Sequence, residues 1–99
     1  MPNTRQETVQ ELELKEPALY RVILHNDDYT TMEFVVQILR SIFHKKADEA
    51  EKIMWKIHEK GQAVCGVYTH EIAQTKAEQV KTIARQNGYP LLATIERDE

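Results

Sequence analysis

The sequence predicts an α+β domain in the order β-α-α-β-α-β, a small three-stranded antiparallel sheet covered by three helices behind a flexible N-terminal tail. Three observations predict it. Short runs rich in β-branched and large apolar residues recur near residues 18–24, 63–68 and 91–95. Between them lie three stretches whose apolar side chains repeat at helical spacing. Capping and stop signals punctuate those stretches.

Residues 1–17 read as a flexible acidic N-terminal extension. Glu7, Glu11, Glu13 and Glu16 alternate with polar residues, and only Val9, Leu12 and Leu14 are apolar. Such a segment buries too little surface to offset the entropy of ordering it. Glu16-Pro17 closes it, because the residue before a proline is driven towards extended geometry. The domain proper then spans 18–99 and opens with a strand over 18–24.

Thr30 and Glu33 have the spacing of a capping box for the first helix. Met32, Val35, Val36, Leu39, Ile42 and Phe43 form its buried stripe, which Phe34 and Ile38 widen. His44-Lys45-Lys46 interrupts the pattern and sets positive charge at the C-terminal end, where the helix dipole favours it. Asp48, Glu49 and Glu51 open a second helix with an apolar face of Ala50, Ile53, Met54 and Ile57, and Gly61 follows as its stop. Residues 63–68 make a strand that is apolar on both faces at its centre. Thr69 is the expected cap of a third helix with Ile72, Ala73, Ala77, Val80 and Ala84 on one face. Asn87-Gly88 ends it, Tyr89-Pro90 turns the chain, and 91–95 make the last strand.

Ninety-nine residues fit one domain, and 41% hydrophobic with 29% charged residues is ordinary globular composition. No apolar run approaches the roughly 20 residues that span a bilayer. The first residues lack the apolar core of a signal peptide. The single cysteine, Cys65, suits a reducing compartment, so a cytoplasmic protein without a membrane partner is expected. A net charge of −3 without a basic cluster argues against nucleic acid as the main partner.

The candidate functional segment is Asn26-Asp27-Asp28-Tyr29-Thr30, set between the first strand and the first helix. Junctions of this kind are held by the scaffold yet open to solvent. A catalytic reading finds no nucleophile motif and no glycine-rich phosphate loop. Asn26, Asp27 and Asp28 carry oxygens suited to Mg²⁺ or Ca²⁺, but the calcium-loop spacing is absent. A small metal-dependent enzyme using Asp27 and Asp28 therefore stays open only as the alternative. His25, His44, His58, His70 and Cys65 lack the paired spacings of a zinc site, and Cys65 reads as a small buried hydrophobe. His58 stands one helical turn after Met54 and beside Ile57, at the border of the second helix's apolar face. Met32 and Met54 are ordinary core fillers that also suit a pocket accepting several apolar shapes.

Together Asn26-Asp27-Asp28-Tyr29-Thr30, Met32-Glu33-Phe34-Val35, Met54-x-x-Ile57-His58, Cys65-Gly66-Val67-Tyr68-Thr69 and Tyr89-Pro90-Leu91-Leu92 resemble the ClpS adaptor family. The resemblance runs from about residue 20 to 96. It implies a non-enzymatic, monomeric adaptor without a cofactor, which binds N-degrons (substrates beginning with Leu, Phe, Tyr or Trp). It also implies delivery of them to ClpAP through the N-terminal domain of a ClpA-type AAA+ unfoldase. By the same resemblance Asn26, Asp28 and His58 grip the substrate's α-amino group, with Asp27 beside them holding substrate backbone or the loop itself. Met32, Val35, Met54, Ile57 and Leu91 line the side-chain pocket, and Glu71 and Lys76 dock the unfoldase. The chemistry is apt, since an α-ammonium offers up to three donors and those residues offer three acceptors. One departure is Thr31, where the family often has proline. That leaves the loop looser in expectation.

Overall fold

The computed structural model describes residues 17–99, and the expected N-terminal extension falls largely outside them. The chain runs β1 (Leu19–His25), α1 (Met32–Ser41), α2 (Ala47–Lys60), β2 (Gln62–Thr69), α3 (His70–Gln86) and β3 (Leu92–Arg97). The three strands form one sheet in the order β2-β1-β3, antiparallel at both junctions. This is the α+β architecture expected.

The first strand of the chain lies in the middle of the sheet. Its side chains alternate between a helix-facing side, with Val22 and Leu24, and an outer side, with Arg21 and His25. A bulge between Val22 and Ile23 interrupts its pairing with β2, opposite Gly66. The Tyr68 side chain occupies the space where a Cβ on Gly66 would stand, so glycine allows this close approach.

The core lies between the sheet and the helices. Val22, Leu24, Ala63 and Cys65 from the strands meet Ile38 and Leu39 of α1, Ala50 and Ile57 of α2, and Ala73, Val80 and Ala84 of α3. The helices cover only one face. Val64 and Val67 are each 41% exposed on the other, so β2 is apolar on both faces but buried on one.

Two expected boundaries move for identifiable reasons. The cap of α1 is Thr31, not Thr30: Thr31 Oγ1 accepts the Phe34 N–H at 3.2 Å. The Thr30 hydroxyl donates to Asp27 instead, and Glu33 falls one position too early in the helix to close a box. Leu91 precedes β3 and is only 1% exposed. Elsewhere the stop signals act as read. Gly61 takes a left-handed φ of 91° after α2, and Gly88 a φ of 80° after α3. Thr69 caps α3 by its extended backbone, without a side-chain bond.

Candidate functional site

The site is built where β1 hands over to α1, against the C-terminal half of α2. At the end of β1, His25 pairs through Nε2 with Thr94 Oγ1 at 2.7 Å. The next residue ties the loop to α2, because the Asn26 N–H donates to the Gly61 carbonyl at 2.8 Å. Asp27 then folds the loop onto itself. Its Oδ1 accepts the N–H groups of Tyr29 and Thr30 at 2.8 and 2.7 Å, and its Oδ2 accepts the Thr30 hydroxyl at 2.7 Å. Desolvation works to raise the Asp27 pKa. The Thr30 and Tyr29 hydrogen bonds and the attraction of Arg85 outweigh it and hold the carboxyl below its ordinary 3.8.

Asp28 faces differently. The side chains of Asn26, Asp28 and His58 make no hydrogen bond to any described residue. All three line one cavity of about 500 Å³, together with Asp27. Its apolar wall is Met32 and Val35 from α1 with Met54 and Ile57 from α2. Val35, Met54 and Ile57 are otherwise buried and form the floor, while Met32 stands half-buried at the first position of α1. Asp27, Asp28 and Glu33 supply three carboxylates to the lining, and no lysine or arginine of the described residues joins them. A cationic group with an apolar appendage matches that surface in charge and in shape.

Eight of the nine residues expected at the amino-group and side-chain pockets thus surround one cavity. Leu91 is the exception. It packs in the core instead of lining the cavity, and Arg85 holds it there through bonds to the carbonyls of Tyr89 and Leu91 at 2.9 and 3.0 Å. Tyr29, Thr30 and Thr31 of the same loop and Glu33 of α1 also line the cavity, though none was named as a site residue. Arg85 and Tyr89 were missed because they act from 50 residues away or more. The Tyr89 ring packs on Phe34 with centroids 4.6 Å apart, and its hydroxyl accepts from Thr31 at 3.5 Å. Thr31 is therefore tied at both its own helix and the α3–β3 turn, against the expectation of a looser loop.

The metal-dependent alternative loses its ligand pair, because Asp27's oxygens are taken by the loop. Among the described residues no group of three His, Cys, Asp or Glu side chains is arranged to hold a metal ion.

The expected docking residues lie elsewhere, on α3. Glu71 is exposed and borders a shallow groove with Gln74, Thr75 and Glu78. Lys76 is engaged internally: its Nζ donates to the Ile42 carbonyl at 2.7 Å and lies 5.3 Å from the centroid of the Tyr68 ring.

Residues 15–94 match the family model described as "ATP-dependent Clp protease adaptor protein ClpS". Proteins named ATP-dependent Clp protease adapter protein ClpS are similar to this chain. The one from Syntrophus aciditrophicus is 63% identical over 81 residues, 82% of this chain and 76% of that protein. The one from Desulforapulum autotrophicum is 50% identical over 99 residues, 98% of this chain and 95% of that protein. Among solved structures, Agrobacterium tumefaciens ClpS2 bound to L-phenylalaninamide superposes with a TM-score of 0.81. It is 38% identical, with 84% of this chain and 100% of that one covered.

Proposed function

This chain belongs to the ClpS family of ATP-dependent Clp protease adaptors, and from that premise we propose that it binds proteins beginning with Leu, Phe, Tyr or Trp and hands them to a ClpA-type AAA+ unfoldase. The family is one of adaptors, not enzymes. One observation carries the reading: three acceptors that no described residue engages share a cavity with four apolar side chains.

The chemistry follows from that arrangement. A substrate's α-amino group, ordinarily protonated below about pH 8, presents three N–H donors. The Asn26 carbonyl oxygen, the Asp28 carboxylate and the unprotonated nitrogen of His58 accept them. Hydrogen bonds to a charged group contribute about 1.5–3 kcal/mol each. The first side chain lies against Met32, Val35, Met54 and Ile57, where full burial of a Leu or Phe adds about 1.5–3 kcal/mol. After association costs this suits micromolar binding, near −8 kcal/mol. Met32 begins α1 and lines the cavity; in this reading it crowds a β-branched first residue, which disfavours Ile and Val. Asp27 serves by holding the loop. The ligand of the Agrobacterium protein, an amino-acid amide with a free α-amino group and an aromatic side chain, has the same two handles.

Delivery rests on other surfaces. Exposed Glu71 and its groove on α3 are the docking face for the unfoldase's N-terminal domain, with Lys76 of the same helix tied to the Ile42 carbonyl. The acidic extension over residues 1–17 is the part that the unfoldase engages.

The test is a peptide beginning with Leu beside its N-acetylated twin. The free peptide is expected to bind at micromolar concentration and the acetylated one at least about 100-fold more weakly, since two charged hydrogen bonds alone exceed that ratio. Equal affinity would sink the proposal.

A further inference from the structure

Beside the clamp lies an aromatic contact that the reading above does not use. Trp55 and His58 stand three residues apart on α2, so their side chains leave the same side of the helix. Their ring centroids are 5.8 Å apart and their planes meet at 78°, an edge-to-face pair. The indole is 43% exposed and contributes nothing to the core.

An imidazole accepts from a donor only when its unprotonated nitrogen points at that donor. Tautomer and ring plane are ordinarily fixed by a hydrogen bond at the other nitrogen. The His58 ring makes no such bond with any described residue. A histidine on an exposed helix face otherwise divides its time among side-chain rotamers and two ring flips. The clamp's other acceptors are placed differently: Asn26 and Asp28 project from a loop fixed by the Asp27 bonds and by the Asn26–Gly61 bond. His58 has the indole.

We infer that Trp55 is the positioning residue of the amino-group clamp. Its edge-to-face contact holds the His58 imidazole in the orientation from which the ring accepts from a substrate's α-ammonium. This rests on the clamp reading given above.

The test is a double-mutant cycle on the full chain, with affinity for one leucyl peptide as the readout. Trp55→Ala is expected to weaken binding about threefold to tenfold, the range of an aromatic pair. Trp55→Phe, which keeps an aromatic ring against His58, restores most of it. In a His58→Ala background, Trp55→Ala costs nothing further. Thermal unfolding checks that each variant is folded, and Trp55→Leu replaces the alanine variant if that one is not. An equal loss in both backgrounds overturns the inference, because Trp55 would then act on the ligand or on α2 without His58. So does unchanged affinity in Trp55→Ala while His58→Ala binds weakly. Wild-type protein that does not distinguish the leucyl peptide from its acetylated twin sinks the clamp itself, and the role of Trp55 with it.

Discussion

At the scale of single residues, two neighbouring carboxylates do different work. Asp27 accepts three hydrogen bonds within its own loop, and Asp28 accepts none from the described residues. Asp27→Ala is therefore expected to destabilise the fold by about 0.5–2 kcal/mol, as loss of a comparable capping side chain does. Asp28→Ala should leave the melting temperature unchanged and weaken peptide binding by about 10- to 150-fold. Calorimetry with a binding titration on both variants checks the division. The sequence made the pair conspicuous but ranked them only by resemblance, because the curvature of the loop decides which oxygens meet backbone N–H groups. Cys65 was legible as a buried hydrophobe. Burial pushes its thiol up to about 12, against the opposing effects of a hydrogen bond at Leu24 and the charge of Lys45. A folded pKa above the unfolded value of 9.0 means that the native state keeps its proton longer. Its contribution to stability is thus complete below pH 9 and is lost between about 9 and 12. Denaturant unfolding is expected to weaken over that window, and Cys65→Ala should remove the part of the slope that the thiol carries.

At the scale of elements, the clearest expectation concerns how α1 ends. Lys76 reaches from α3 to the Ile42 carbonyl just past the last turn of α1, where the carbonyls lack helical partners. Lys76→Met keeps the apolar stem and removes the bond and the charge over Tyr68. The expected loss is about 1–2 kcal/mol, or a melting temperature lower by roughly 5–10 °C. A change below about 1 °C would show that the ammonium is free to serve a partner. Element order, the stops at Gly61 and Gly88 and the apolar stripe of α1 were all readable, since each depends on neighbours within a few residues. The start of α1 was not. Thr30 and Thr31 are equally good caps in isolation, and only the bond from Thr30 to Asp27 decides between them. Leu91 and Arg85 were misplaced or missed for the converse reason: their contacts depend on how α3 returns to the sheet.

At the scale of the whole molecule, the sheet's arrangement links stability to occupancy. The clamp loop leaves the central strand, which is paired on both sides, and is tied to α2 through Gly61 and to the α3–β3 turn through Thr31 and Tyr89. The cavity is lined by α1, α2 and that loop together, so a ligand bound there is expected to stabilise the native state and not the unfolded chain. Leucinamide at about 100 times its dissociation constant should add about 2.7 kcal/mol and raise the melting temperature by roughly 10 °C or more. N-Acetyl-leucinamide should leave it unchanged. The single covered face of the sheet was not legible, because the second strand reads as apolar on both faces while Val64 and Val67 are exposed. Nor was the neighbour of His58. Trp55 is the sole tryptophan of the chain, and its ring lies against the clamp. The protein therefore carries its own optical gauge: indole emission from beside His58 is expected to report on occupancy of the proposed site without a dye, a label or an engineered residue.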